Sequence, residues 1–91
     1  MTQQAAAVQG RTRTWNVRLD IFEEDKDTTA VYAVLDTGES ELVIRTTAHR
    51  NPHDRPAPEI GDEYAAGRAL RELGRRLLNA GATDAEDNAH R

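Results

Sequence analysis

The order in which hydrophobic periodicity changes along this chain constrains its fold more than any other feature. From Thr12 to Phe22, Trp15, Val17, Leu19 and Ile21 alternate with Thr14, Asn16, Arg18 and Asp20. A period of two marks a half-buried β-strand, because successive side chains of a strand point to opposite faces. Glu23-Glu24-Asp25-Lys26-Asp27 interrupts the run as a solvated turn. A second run, Thr28 to Leu35, is rich in β-branched residues and sets Thr29, Val31, Ala33 and Leu35 on one face. Tyr32 and Val34 occupy its other face, as expected of a central strand or of a surface that meets a partner. Asp36-Thr37-Gly38-Glu39-Ser40 has the residues of a hairpin loop. Leu42 to His49 then forms a third strand, with Leu42, Ile44, Thr46 and Ala48 on one side.

Pro52, Pro56 and Pro58 end the sheet in an irregular crossover. Beyond them the period becomes that of a helix. Ala66, Gly67, Leu70, Leu73, Gly74 and Leu77 gather on one side at ~100° per residue. Asp62 and Glu63 suit its positive N-terminal end, Arg75 and Arg76 its C-terminal end, and Gly81 supplies a stop. The two glycines on the apolar side lower helix propensity and are read as points of close approach to the sheet.

The expected fold is therefore α+β, an antiparallel three-stranded sheet packed by one long C-terminal helix (β-β-β-α). Residues 1–11 form a flexible arm, 12–80 the domain, and 81–91 a polar tail with at most a short helical turn. The expected core is Trp15, Val17, Leu19, Ile21, Val31, Ala33, Leu35, Leu42, Ile44, Leu70, Leu73 and Leu77.

A chain of 91 residues holds one domain with a small core. It has no cysteine, which removes disulfides, thiolate metal sites and a thiol nucleophile. No signal peptide and no apolar run of the ~20 residues needed to span a bilayer is apparent, so a cytosolic location and no membrane contact are expected. The net charge of −4 is unevenly spread. Eight acids face only Lys26 between Asp20 and Glu41, whereas Arg68, Arg71, Arg75 and Arg76 face only Glu72. Nucleic-acid affinity rests largely on phosphate neutralisation, so an acidic chain is a poor general binder unless a local basic face acts.

Few motifs suggest catalysis. Asp36-Thr37-Gly38 matches the active-site triplet of dimeric aspartic proteases, in which two carboxylates share a proton. That fold is almost wholly β, whereas the last third of this chain is helical, and Asp and Gly are ordinary turn residues. His49 and His53, with Asp54 or His90, have no metal-ligand spacing, because a proline-containing turn separates the two histidines. Glu23, Glu24, Asp25 and Asp27 lack the spacing and the glycine of a calcium loop. No catalytic residue, cofactor or metal is expected, and the chain reads as a binding module. Tyr64, Arg68, Arg71 and Arg75 share one side of the helix, a stripe suited to phosphates or to an acidic partner. Against that stands a plain solvated face, with Glu72 pairing Arg68, Arg75 or Arg76 at helical spacing.

Asn51-Pro52-x-Asp54, Pro58-Glu59-Ile60-Gly61-Asp62-Glu63 and Arg68-Ala69-Leu70 with Leu73 carry a resemblance. The stretch resembles a small actinobacterial family catalogued as a domain of unknown function, which includes mycobacterial hypoxia or dormancy proteins. Trp15, Thr28, Asp84, Glu86 and His90 fit the same order. Ile44 and Thr46 stand where that family usually has glycines, and Ala85 replaces a larger apolar residue. The resemblance implies a fold like that of double-stranded-RNA-binding domains, a homodimer and no catalysis. Glu59, Asp62 and Glu63 sit where such RNA-binding domains place lysines, so ordinary duplex-RNA binding through that surface is not expected. The functional expectation is a non-enzymatic, stress- or dormancy-associated homodimeric module with a protein or ribonucleoprotein partner. Tyr32 and Val34 are its candidate dimer contacts. A ribosome-associated role through the helix arginines is the alternative.

Overall fold

The computed structural model describes residues 10–51, 53, 55 and 57–89. Three strands precede one helix: β1 Asn16–Asp25, β2 Thr28–Asp36, β3 Glu41–His49 and α1 Pro58–Ala89. The sheet is antiparallel with strand order β1-β2-β3, as the uninterrupted run of strands before the helix predicts. Of the arm expected over residues 1–11, residues 1–9 lie outside the described residues.

Differences from the expected boundaries lie at the turns. The strand expected from Thr12 begins at Asn16, and it continues through Glu23, Glu24 and Asp25 rather than breaking there. The register slips between Glu23 and Asp25, so Glu24 is the extra residue of a bulge. Only Lys26 and Asp27 turn the chain. The Asp25 carboxylate accepts the Asp27 amide at 2.8 Å, a local bond that closes the turn. At the second hairpin Gly38 takes a φ of 89°, and its amide donates to Asp36 Oδ1 at 2.8 Å.

Leu35, Val17 and Leu42 lie side by side across the three strands, as do Ala33, Leu19 and Ile44. The row of Val31 holds Ile21 and Thr46. These residues all face the helix, but the helix lies over β2 and β3. The buried cluster is Val31, Ala33, Leu35, Ile44, Ala48, Ala65, Ala69 and Leu73, with Leu19, Leu42 and Leu77 partly buried against it. Trp15, Val17 and Ile21, expected in the core, are 52%, 46% and 41% exposed.

The helix is also rotated from expectation. Its buried stripe is Ala65, Ala69 and Leu73, one residue in four, and Leu70 stays 47% exposed. Where the helix begins it runs too close to the sheet for a leucine: a Cβ on Gly61 would stand 2.7 Å from Thr29 Oγ1. The glycine of close approach is thus Gly61. Gly67 and Gly74, assigned that role from the sequence, have open space where a Cβ would sit. Thr46 Oγ1 donates to the Ala65 carbonyl at 3.0 Å and ties β3 to the same turn of helix.

The helix does not stop at Gly81 but continues to Ala89. A helix of 32 residues is about 48 Å long, whereas strands of nine or ten residues span about 30 Å. Its last turns therefore overhang the sheet, and residues 78–89 are exposed throughout. Arg75 and Arg76 lie mid-helix rather than at its C-terminal end, and the described last turn holds no basic residue. Pro58 at the helix start needs no hydrogen-bond acceptor for its nitrogen, and the Ile60 amide donates to the Ala57 carbonyl at 3.0 Å.

Candidate functional site

The antiparallel ladder determines which backbone groups remain available on the two edges of the sheet. The Arg50 amide donates to the Asp27 carbonyl at 2.7 Å, one residue beyond the Thr28–His49 pair. Because bonded and non-bonded pairs alternate, β3 turns the backbone of Leu42, Ile44, Thr46 and Ala48 toward β2. Val43, Arg45 and Thr47 then turn their N–H and C=O groups to the open edge. By the same alternation β1 presents Val17, Leu19 and Ile21 on its own open edge.

A groove of ≈ 930 Å³ runs between the β3 edge and α1, lined by Val43, Thr47, Arg68, Arg71, Arg75 and Leu78 among others. Arg68 Nη1 donates to the Thr47 carbonyl at 3.0 Å, so a guanidinium occupies one of the edge acceptors. Glu72 is paired to both Arg75 and Arg76, with Nε–O distances of 3.0 Å to each. The hydrogen bond from the Arg75 guanidinium, with a further one from Arg76, pulls the Glu72 carboxyl down to about 2 against the opposing effect of desolvation. The same pairing raises the Arg75 guanidinium. Arg71 has no ion-pair partner among the described residues.

The four-residue stripe is thus divided. Arg68, Arg71 and Arg75 meet in one groove, joined by Arg76. Tyr64, 63% exposed, lines a separate cleft of ≈ 710 Å³ with Arg68, Ile60, Asp25 and His49 at the other end of the sheet. Beside that cleft Arg50 grips Asp27 Oδ1 through Nη2 at 2.6 Å and Nε at 2.9 Å, which ties the first hairpin to the end of β3. This pair spans 23 residues, and nothing in the local sequence pattern marks it.

Tyr32 and Val34 lie on the sheet face away from the helix. Tyr32 stacks on Phe22 with ring centroids 5.8 Å apart, and the Arg45 guanidinium sits 6.0 Å from its ring centre while pairing with Glu24. Val34 is half-buried between Arg18 and Val43 in its row. The Asp36 carboxylate is engaged by the Gly38 amide, as a turn aspartate would be. His49 Nδ1 lies 3.1 Å from Thr28 Oγ1. His53 is exposed, while Asp54 and His90 lie outside the described residues. Among the described residues no three metal-ligating side chains converge, and no helix is long and apolar enough to cross a membrane.

The sequence profile of the Rv2632c-like family matches residues 13–91. The chain belongs to the Rv2632c-like family. It is 42% identical over 76 residues to the uncharacterized protein Mb1767 of Mycobacterium bovis, covering 84% of this chain and 80% of that one. The uncharacterized protein Rv2632c of Mycobacterium tuberculosis is 33% identical over 70 residues, 77% of this chain and 75% of the relative. The crystal structure of Rv2632c superposes with a TM-score of 0.80 at 30% identity, covering 92% of this chain and 99% of the other. The three strands and the long helix are therefore the architecture of this Rv2632c-like protein and of its crystallised neighbour alike.

Proposed function

We propose that this chain is a small non-enzymatic assembly module that works as a homodimer joined through β1. The observation that carries the reading is the exposure of Val17 and Ile21 on the helix side of an edge strand, with Trp15 exposed just before it. An open edge bearing an apolar row invites another strand. The edge also suits a second copy of itself. With a two-fold axis at Leu19, Val17 of one copy opposes Ile21 of the other, and Arg18 opposes Asp20. Those are an apolar and an opposite-charge cross-strand pair, each worth roughly 0.2–1 kcal/mol. Val17, Leu19 and Ile21 are also the residues whose backbone groups turn to that edge. Tyr32 and Val34, on the opposite face and one strand inward, are the alternative contact. The stress or dormancy setting enters from the family resemblance.

Sedimentation equilibrium separates the two contacts. Ile21→Lys should give a folded monomer while Val34→Lys leaves the dimer intact. An unchanged dimer mass for Ile21→Lys, or a monomeric native chain, would sink the β1 reading.

A second reading, ribonucleoprotein association, is favoured by the gathering of Arg68, Arg71 and Arg75 in one groove. It requires salt-sensitive co-sedimentation with ribosomes that disappears when these three become Glu. Glu59, Asp62 and Glu63 at the helix start oppose duplex-RNA binding there.

A further inference from the structure

We infer that the opposite edge of the sheet, β3 with its arginine groove, binds an acidic polypeptide segment as an added fourth strand. This stands independently of any pairing at β1, since it uses the other edge.

Two features of different kind coincide at this edge. The first is backbone: Val43 and Arg45 present N–H and C=O groups outward, and among the described residues no strand lies on the side of β3 away from β2. Such groups are matched by an extended polypeptide, which supplies donors and acceptors in the same alternation. A nucleic acid supplies acceptors along its phosphates and leaves the carbonyls unmatched. The second is charge. The helix wall of the groove carries Arg68, Arg71, Arg75 and Arg76 against Glu72, a net +3 on a chain whose net charge is −4. Arg71 has no ion-pair partner among the described residues, and Arg75 and Arg76 share a single carboxylate.

The geometry limits the length and pattern of the segment. Arg68 donates to the Thr47 carbonyl, so it closes the edge at that end and leaves the stretch around Val43 and Arg45. Side chains two apart on a strand are about 6.6 Å apart along it. Arg71 and Arg75 are four residues apart, about 6 Å along the helix axis. A strand with Glu or Asp at alternate positions would therefore set successive carboxylates opposite successive arginines. Bidentate guanidinium–carboxylate pairing would reward that spacing over a lone charge. The intervening side chains would point to the sheet face away from the helix, where exposed Val43, in the row of Val34, suits apolar groups.

The test is fluorescence anisotropy with a library of labelled hexapeptides alternating Glu or Asp with Val, Thr or Tyr, against the native chain. At least one such peptide should bind, with Lys–Val peptides of the same pattern failing to do so. Arg71→Glu should weaken binding roughly tenfold, and adding Arg75→Glu should remove it. Both residues are exposed, and an amide resonance pattern like that of the native chain would confirm that the fold is kept. N-methylation of the peptide amides that face β3 should abolish binding, and amide resonances of Val43 and Arg45 should move on titration. Val43→Pro should block the edge from the protein side, because the Val43 N–H makes no bond to β2. If that variant does not fold, the N-methylated peptides give the same answer on the native chain. No binder in the library, or binding indifferent to N-methylation and to the arginines, would overturn the inference. So would a single-stranded RNA that binds with the same arginine dependence while no peptide does.

Discussion

β1 and β2 carry nearly the same alternation of apolar and polar residues, yet one is the centre of the core and the other is almost wholly exposed. Both turn their apolar rows to the helix side: Thr29, Val31, Ala33 and Leu35 on β2, Val17, Leu19 and Ile21 on β1. A helix about 10–12 Å across covers two strands spaced about 4.8 Å apart and not a third. Because α1 lies over β2 and β3, the β1 row is left partly bare. Periodicity therefore reports which way a side chain points. Whether anything covers it depends on what is placed above. The same contrast divides α1, whose packed part ends near Leu77 and whose remainder overhangs.

Breaking the covered half should cost most. Leu73→Ala removes a side chain that is 4% exposed and should destabilise by about 2–4 kcal/mol in urea unfolding. Leu70→Ala, three residues away on the bare flank, should cost less than about 1 kcal/mol of the same protein. Equal costs would mean that the helix is rotated toward the leucine-rich face read from the sequence.

The glycines sharpen the contrast next. Gly61→Ala would push a Cβ into Thr29 Oγ1 and should lower stability by about 1–3 kcal/mol, with Thr29→Ala relieving most of the loss. Gly81→Ala, with open space around it, should instead raise stability by about 0.5–1 kcal/mol if the overhanging helix forms as described. A neutral or destabilising effect there would show that the helix stops at Gly81 in solution. Amide exchange tests the overhang directly. Residues 78–89 should exchange faster than residues 65–77, because no packing protects them and Asp84, Glu86 and Asp87 lie near the negative end of the helix dipole.

The smallest effect is electrostatic. A carboxylate held down to about 2 adds stability that is present above its ordinary value of 4.5 and is lost as pH falls through about 2. Glu72 is the case here. Melting temperatures of the native chain and Glu72→Gln should differ by a constant amount above about pH 5. The difference should close between pH 4.5 and 2. Because the pair is solvent-screened, it should also shrink in high salt.

Much of the architecture was legible in the residues. The three period-two runs, the turn residues between them and the proline-rich crossover specify an antiparallel β-β-β-α order. The strands begin and end within a few residues of expectation, except that β1 continues through its acidic end. Two features misled. Leu70 outweighs Ala65 and Ala69 in any hydrophobic average, yet close packing over Thr29, Thr46 and Ala48 selects the small residues. Gly81 is a strong stop by composition, but a glycine with space around it lowers helix propensity without forcing an end. Of the candidate site, the clustering of Arg68, Arg71 and Arg75 follows from helical spacing alone. Separation of Tyr64 from Arg71 and Arg75, the Arg68 bond to Thr47 and the Arg50–Asp27 clamp involve partners on other elements.

By itself, then, the sequence determined the kinds of element, their order, the sheet's antiparallel sense and the face each strand residue takes. These follow from steric and periodic rules that act within a few residues. Only the tertiary structure decided which strand the helix leaves uncovered, which flank of the helix is buried, and where basic side chains meet an open edge. Those outcomes depend on how closely two elements approach and at what angle. They are settled by contacts between residues about 20 or more apart, such as Thr29 with Gly61 and Arg68 with Thr47.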